Sequence, residues 1–358
     1  LRQRMDVEGD WATICPTFFS TSSVGGSAPQ NGGHEGILED ALDLEALAKM
    51  PVLVSCQGGD YTRRVHPALR AAGWTGHWID AASALRMAPT SCLVLDPINS
   101  SDVDAALDDG VKDYVGANCT VSLMMMGIGG LLRTGWVRWV STMTYQAASG
   151  AGAAQMRELV DQMRAIGHVA GPSLDDPSCS SLELEARVTA LLQGGELPTA
   201  RLGHPLAGSV LPWVDSAVAG GQSREEWKGA VETNRLLGHA EGAEAWVPVD
   251  GICVRVGALR CHAQGLTIGL DRARDIEEVQ AAIAATSPWT QVVENTPEAT
   301  LKMLTPTAVT GSLTVPVGRI RRMRTDPCHI AAFTVGDQLL WGAAEPVRRM
   351  LNICLAHV

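Results

Sequence analysis

The chain has 358 residues, of which 46% are hydrophobic and 19% are charged, which is typical of a globular protein large enough for two domains. Its formal net charge of −11 argues against nucleic acid as a general partner. No apolar run reaches the roughly 18 residues that a membrane-spanning helix needs, so we expect no membrane partner either.

The nine cysteines are scattered along the chain. No pair has CxxC spacing, and no cluster of cysteine and histidine has the spacing of metal ligands, so we expect no metal site. An odd and scattered set of cysteines also argues against a disulfide framework. The sequence therefore predicts a protein of the reducing cytoplasm.

Residues 1–117 alternate between short apolar runs and helix-like segments. Strands are predicted at 16–19, 51–56, 77–80, 92–95 and 113–116, with a helix at 61–72. This alternation predicts a parallel sheet, in which ligands bind at the carboxyl ends of the strands. The turns at 20–26, 57–60 and 81–83 would lie there. They are small, polar or glycine-bearing, as a bound dinucleotide requires, although turns are rich in such residues anyway.

The run from Gly116 to Thr120 joins a predicted strand to a long apolar helix. Asn118 is a good helix N-cap, which places Cys119 in the first turn. Unpaired backbone N–H groups and the helix dipole there favour a thiolate, the form that acts as a nucleophile. The alternative, a buried core cysteine, is the more common state for any cysteine considered alone.

From about residue 118 the pattern changes to α+β. Long strand-like runs at 135–147, 247–256, 257–266 and 311–317 predict one open mixed sheet with helices on one face. Helices are predicted near 153–165, 182–192, 224–237 and 339–355, and a loop at 172–181.

Two segments of this region are candidates for functional sites. Residues 144–152 end a strand in small residues just before a helix, which suits an anion, although a plain turn is about as common. Glu225 and Lys228 are three residues apart and share a helix face; on pattern alone we favour a surface ion pair.

Arg255 and His262 are polar residues within an apolar strand-like run, where a satisfied core histidine is the common alternative. Seven residues apart, they would face opposite ways and lie about 23 Å apart in one regular strand. If both serve one site, the strand must bulge or bend, and we expect this at Gly257.

Nine short sequence runs, taken together, are highly specific for one protein family. They read, in chain order, FFSTSSVG, CQGGDYT, WIDAASALRM, GANCTVSLMMM, TYQAASGAG, QSREEWKG, VDGICVRVGALRCHAQ, VPVGR and FTVGDQLLWGAAEP. With them the chain resembles the aspartate-β-semialdehyde dehydrogenases of Gram-negative bacteria over nearly its whole length.

The resemblance implies an α/β fold. It consists of a Rossmann-like parallel-sheet NADP-binding domain at 1–117, to which a helix at 342–358 returns, and an α+β catalytic and dimerisation domain with a mixed sheet at 118–341. It implies a homodimer and NADP-dependent conversion of aspartyl phosphate to aspartate semialdehyde, with release of inorganic phosphate. This reaction serves lysine, methionine, threonine and isoleucine synthesis.

The resemblance also implies roles for individual residues. Cys119 matches the nucleophile, His262 the acid/base residue and Gln146 the residue that orients the intermediate. The residues matched to substrate and phosphate binding are Arg255, Arg86, Asn118, Glu225 and Lys228. Those matched to cofactor contacts are Thr21 and Ser22 at the adenosine 2′-phosphate, with Gln57, Gly58, Ser83, Ser149, Gly150 and Gln338.

The chain departs from this family at its start. Members open with a strand and a GxxGxxG turn for the pyrophosphate, whereas the match here begins at Leu1, inside the following helix. We therefore expect weak NADP binding and a destabilised first sheet. Two alternatives stay open. One is a truncated, non-catalytic homologue that folds and dimerises. The other is a Cys–His acyl-transfer enzyme, which would not need the turns suited to a dinucleotide.

Overall fold

A computed structural model describes residues 1–30 and 36–357 of the protein. Its strands are β1 (Phe19–Ser20), β2 (Glu39–Asp40), β3 (Val52–Ser55), β4 (His77–Asp80), β5 (Ser91–Val94), β6 (Asp113–Gly116), β7 (Val137–Gln146), β8 (Val210–Leu211), β9 (Val249–Val256), β10 (Cys261–Leu270), β11 (Thr290–Val292), β12 (Val315–Arg322) and β13 (His329–Asp337). Its α-helices are α1 (Arg2–Glu8), α2 (Leu44–Ala48), α3 (Gly59–Ala71), α4 (Asp96–Asp108), α5 (Cys119–Arg133), α6 (Ala153–Leu174), α7 (Ser181–Gln193), α8 (Arg224–Leu236), α9 (Ile276–Ala284), α10 (Pro297–Met303), α11 (Pro306–Val309) and α12 (Glu345–Ala356).

The chain forms two compact units. The first contains Leu1–Ser122, Asn234–Ala243 and Leu340–Val358, and the second contains Leu123–Thr233 and Glu244–Leu339. The assignment of cofactor binding to 1–117 with 342–358, and of catalysis and dimerisation to 118–341, stays a prediction.

The first unit contains a four-stranded sheet in the order β3-β4-β6-β5, and every neighbouring pair is parallel. This confirms the parallel sheet predicted from the alternating apolar runs. In the register of β3 and β4, Ser55 pairs with Asp80, so the turns that follow these two strands leave the same edge of the sheet side by side. Helix α12 packs on this sheet through Val347 and Met350, which join a buried apolar cluster.

The apolar run at 16–19 forms much less strand than predicted. Only Phe19 and Ser20 are in β1, which pairs with β2 in a separate parallel sheet of two strands. Proline cannot donate a ladder hydrogen bond, so Pro16 limits how far this run can extend as a strand.

The second unit contains a seven-stranded mixed sheet in the order β11-β12-β13-β10-β7-β9-β8. Strand β7 lies between β10, which is antiparallel to it, and β9, which is parallel to it. The predicted mixed sheet is confirmed. Because β7 separates β9 from β10, the two strands that follow each other in the sequence do not pair with each other.

Helix α6 is longer than predicted. It runs through Pro172 to Leu174, so the predicted loop at 172–181 is wrong in its first part. A proline in the last turn removes only one hydrogen bond, and the amide of Asp175 still closes the helix on the carbonyl of Gly171. Helix α7 then begins with a capping box between Ser180 and Glu183.

Across the two described ranges of the chain, no helix combines the length and the apolar character that crossing a bilayer would require.

Candidate active site

Cys119 is the first residue of helix α5, and its side chain is partly exposed. Oδ1 of Asn118 accepts hydrogen bonds from the amides of Thr120 (2.9 Å) and Val121 (3.2 Å), which is the geometry of an N-cap. The prediction that Asn118 caps the helix is therefore confirmed. Cys119 lies where the helix dipole and the first amides stabilise a negative charge.

Arg86 connects the turn after β4 to the strand that leads to Cys119. Its Nε donates to the carbonyl of Gly116 at 2.7 Å, and its Nη2 donates to the carbonyl of Ala81 at 3.4 Å. The side chain is buried. Arg86 thus fixes the end of β6, two residues before the Asn118 cap.

Five of the residues matched to cofactor contacts lie in the first unit. Thr21 Oγ1 donates to Oε1 of Gln57 at 3.4 Å, and the amide of Ser22 donates to Oγ of Ser20. Gly58 follows Gln57 at the start of α3 and has a φ of +93°, which favours glycine. Thr21, Ser22 and Gln57 are exposed, as is Ser83 after β4. The group therefore offers polar atoms to a ligand at the carboxyl edge of the sheet.

The structure brings Arg255 and His262 together in the second unit. Strand β9 ends at Val256 and β10 begins at Cys261, which confirms the irregularity predicted at Gly257, although the two residues lie on two separate strands. The chain does break at Gly257, and it then crosses to the other side of β7. Sequence patterning could not show this, because strand order depends on pairing between distant segments.

Ala147, just after β7, joins the two residues. Its amide donates to Nδ1 of His262 at 3.0 Å, and its carbonyl accepts from Nη1 of Arg255 at 2.7 Å. Gly150 lies against both side chains. A Cβ atom at Gly150 would lie 2.9 Å from Nη1 of Arg255 and 3.0 Å from Cε1 of His262, so only glycine fits here without displacing one of them.

The buried imidazole of His262 is neutral. Burial, and then the charge of Arg255, lower the pKa of His262 to about 3, well below the ordinary value near 6.5. A backbone amide can only donate, so Nδ1 is the acceptor and the ring proton lies on Nε2. His262 therefore presents an N–H donor at Nε2.

Gln146, the last residue of β7, pairs in register with Arg255, so the two side chains share a face of the sheet. Gln146 is buried, and its Nε2 donates to Oγ1 of Thr144 at 3.2 Å and to Oε1 of Glu225 at 3.4 Å. The amide thereby connects the end of the strand to helix α8.

Glu225 and Lys228 form an ion pair of 3.1 Å, and both are buried. The alternative of a surface ion pair is therefore wrong. Lys228 also contacts Oδ2 of Asp215 at 2.7 Å, a partner that the sequence did not reveal. Burial lowers the pKa of Lys228, but the two carboxylates outweigh this and hold its pKa above the ordinary value.

Three more residues matched to cofactor contacts adjoin each other. Nε2 of Gln338 donates to Oγ of Ser149 at 2.7 Å, and Ser149 Oγ donates to the carbonyl of Arg260 at 3.2 Å. Gly150 follows Ser149 in the same turn, so this group borders the pair of Arg255 and His262.

Each unit thus carries its own set of the residues singled out from the sequence. The first unit holds Thr21, Ser22, Gln57, Gly58, Ser83, Arg86, Asn118 and Cys119, and the second holds Gln146, Ser149, Gly150, Glu225, Lys228, Arg255, His262 and Gln338. The first unit supplies a thiol at a helix N-terminus, and the second supplies an imidazole and two cations.

Two family models match the chain. The semialdehyde dehydrogenase NAD-binding domain matches residues 2–106, and the semialdehyde dehydrogenase dimerisation domain matches residues 128–341. The aspartate semialdehyde dehydrogenase from Francisella tularensis is 45% identical with a TM-score of 0.93, covering 99% of this chain and 95% of that one.

Two more distant structures share the fold. Aspartate semialdehyde dehydrogenase II from Vibrio cholerae is 19% identical with a TM-score of 0.77, covering 99% of this chain and 95% of that one. The Candida albicans enzyme, solved with NADP, is 16% identical with a TM-score of 0.62, covering 96% and 91%. By its family-model matches and its identity to the Francisella enzyme, the chain belongs to the aspartate semialdehyde dehydrogenase family of oxidoreductases.

Proposed function

We propose that the protein catalyses the reversible, NADP-dependent reductive dephosphorylation of 4-phospho-L-aspartate to L-aspartate 4-semialdehyde, within lysine, methionine, threonine and isoleucine biosynthesis. The observation that carries this proposal is the position of Cys119 as the first residue of α5, behind the Asn118 cap. A thiolate stabilised there can form a covalent acyl intermediate, which divides one difficult step into two easier ones.

In the oxidative direction, the Cys119 thiolate adds to the aldehyde carbon and forms a thiohemiacetal. Loss of hydride from that carbon gives a thioester on Cys119. An oxygen of inorganic phosphate then attacks the thioester carbon, the carbon–sulfur bond breaks, and the thiolate is restored as the acyl phosphate leaves. NADP, when bound, supplies the hydride-transfer chemistry.

The second unit supplies acid/base and binding groups. We assign to His262 the acid/base position implied by the resemblance: in its neutral form its Nε2–H donates a hydrogen bond to the oxygen that becomes negative when the thiolate adds, and this stabilises the alkoxide of the thiohemiacetal without transfer of the ring proton. Arg255 binds the substrate carboxylate, because a guanidinium matches a carboxylate with two parallel hydrogen bonds. The carbonyl of Ala147 fixes the direction of this guanidinium, and Gln146 orients the intermediate.

For the phosphate we propose Arg86, Asn118 and Lys228, with Glu225 beside Lys228 in the substrate site. A dianion needs cations and N–H donors. The raised pKa of Lys228 keeps its ammonium charged throughout the working pH range.

For the cofactor we propose NADP. The turn at Gly58 has the positive φ and the open space that close approach of a phosphate requires, and it begins helix α3. We assign Thr21 and Ser22 to the adenosine 2′-phosphate. The remaining proposed contacts are Gln57, Gly58, Ser83, Ser149, Gly150 and Gln338.

We also propose a homodimer formed through the mixed sheet. Met143 and Tyr145 of β7 and Ile252 of β9 are 38%, 39% and 47% exposed on this sheet. Met143 pairs in register with Ile252, so these apolar side chains form one patch, which a second copy would cover.

The test is phosphate-dependent reduction of NADP with aspartate semialdehyde, using the wild-type protein, Cys119→Ala and the control Cys179→Ala. We expect activity in the wild type and in the control and none in Cys119→Ala, with kcat/KM higher for NADP than for NAD. A wild-type protein without activity even at saturating concentrations of either dinucleotide would overturn the assignment and support the truncated, non-catalytic homologue. Acyl transfer that depends on Cys119 but needs no dinucleotide would support the Cys–His acyl-transfer enzyme.

A further inference from the structure

Asp215 lies in the loop before helix α8 and touches the cation that we assign to the phosphate. Its Oδ2 accepts a hydrogen bond of 2.7 Å from Nζ of Lys228. Its Oδ1 accepts from the amide of Ser216 at 2.7 Å, and its carbonyl accepts from the indole of Trp213 at 2.9 Å. The loop thus holds the carboxylate against Lys228.

The backbone of Asp215 is strained. Within the described ranges, the residues other than glycine in the left-handed region are Asp215, with a φ of 72°, and Arg319, with a φ of 57°. Such a conformation is unfavourable for a residue with a side chain and is found at functional sites. Asparagine adopts it as readily as aspartate, so the conformation by itself does not call for a carboxylate.

The charge around Lys228 does not suit a bound dianion. Its ammonium contacts two carboxylates, Glu225 at 3.1 Å and Asp215 at 2.7 Å, so the three groups carry a net charge of −1. A phosphate that approached this group would be repelled while both carboxylates stayed in place. Withdrawal of one carboxylate would remove this repulsion and open a donor of the ammonium to the anion.

Asp215 can withdraw more easily than Glu225. Its side chain is 34% exposed, whereas that of Glu225 is 7% exposed. Glu225 also lies one turn from Lys228 on the same helix and accepts from Gln146. Moving Glu225 would leave a charge in the interior, whereas Asp215 can rotate into water at little cost.

We propose that Asp215 is a positioning residue that holds Lys228 until the phosphoryl group or inorganic phosphate arrives, and then yields the ammonium to that anion. This rests on the function proposed above. Asp215 competes with phosphate, so it weakens anion binding while keeping the buried ammonium paired. No bond is made or broken; one ion pair replaces another.

The test is Asp215→Asn, which keeps the left-handed backbone and removes the charge. We expect the KM for phosphate to fall about threefold to tenfold, while the KM for aspartate semialdehyde changes by less than about twofold. The control is Asp161→Asn, which removes the same charge from an exposed pair with Arg164 on α6 and should leave both constants unchanged. Damage to the fold would raise the KM for phosphate, which is the opposite direction.

An unchanged or raised KM for phosphate in Asp215→Asn, with an active wild type, overturns the role of Asp215 and leaves the proposed function intact. A wild type without phosphate-dependent activity overturns the proposed function itself. Should the variant not fold, wild-type crystals soaked in phosphate provide the second measurement. We expect phosphate on Lys228 with Asp215 turned away, and an ion pair that persists unchanged overturns the proposal.

Discussion

The backbone amide of Ala147 donates a hydrogen bond of 3.0 Å to Nδ1 of His262. The carbonyl of the same residue accepts from Arg255 at 2.7 Å. One residue at the end of β7 therefore sets the tautomer of the imidazole through its N–H and the direction of the guanidinium through its C=O. Both side chains depend on the backbone of Ala147, whose two contacts a change of side chain leaves in place, except that proline would remove the N–H.

The first prediction concerns the charge of His262. Burial and Arg255 lower its pKa to about 3, so we expect a neutral ring, protonated at Nε2, from pH 8 down to pH 5. ¹⁵N NMR of histidine-labelled protein should show this tautomer. A His262 signal that titrates near pH 6.5 would contradict it.

The same pKa predicts how stability depends on pH. The pKa of His262 in the folded state lies below its value in the unfolded chain, so its contribution to stability is complete above about pH 6.5 and is lost as the pH falls toward 3. We expect His262→Gln to remove this part of the acid sensitivity in denaturant titrations at pH 7, 5 and 4. His168→Gln, on the exposed side of α6, should keep the wild-type dependence.

The second prediction concerns Gly150. A Cβ in Gly150→Ala would meet Arg255 at 2.9 Å and His262 at 3.0 Å, so one of these side chains must move. Because small misplacements of catalytic groups are costly, we expect kcat/KM to fall on the order of 10²-fold. The control is Gly167→Ala in α6, where nothing lies within 4 Å of the added atom. It should keep wild-type activity, and equal activity of both variants would remove Gly150 from the site.

The third prediction concerns the cap of α5. Asn118→Ala removes the acceptor of the first amides, so we expect a loss of about 1 kcal/mol in the free energy of unfolding and slower alkylation of Cys119 at neutral pH. Ser180→Ala removes the cap of α7 and should cost a similar amount without affecting Cys119. Alkylation rates that are equal in the two variants would show that the cap does not activate the thiol.

The fourth prediction concerns the apolar patch on the mixed sheet. Ile252→Asp places a charge in the proposed interface, and we expect sedimentation to show a monomer where the wild type is a dimer. Leu182→Asp changes a side chain that is 78% exposed on α7 and should leave the dimer intact. A dimer that survives Ile252→Asp would place the interface elsewhere.

Local sequence patterns were sufficient to predict the parallel sheet and the Asn118 cap of the helix that begins at Cys119. Both depend on residues close in sequence: apolar runs that end in turns, and Asn118 directly before Cys119. The resemblance also singled out Arg255 and His262 as partners, although their spacing argued against it.

The features that the sequence did not predict depend on contacts between segments that are distant in the sequence. Nothing near Arg255 or His262 indicates that β7 lies between their strands, and nothing near Asp215 indicates that it reaches Lys228. The lowered pKa of His262 likewise follows from burial, which only the tertiary structure establishes. The wrong start of the predicted loop at 172 has a local cause. Pro172 lies in the last turn of a helix, where a proline is tolerated.

The placement of Arg255 and His262 on either side of β7 makes the site an indicator of correct assembly. The two residues both bond to Ala147, which follows β7, so neither the pair β7–β9 nor the pair β7–β10 suffices to form the site. If β7 slipped by one residue, Tyr145 would replace Gln146 beside Arg255 and the side chains of β7 would change faces. A protein with a misassembled sheet would then have no activity rather than weak activity. The measured turnover rate would therefore report only those molecules in which β7, β9 and β10 are aligned.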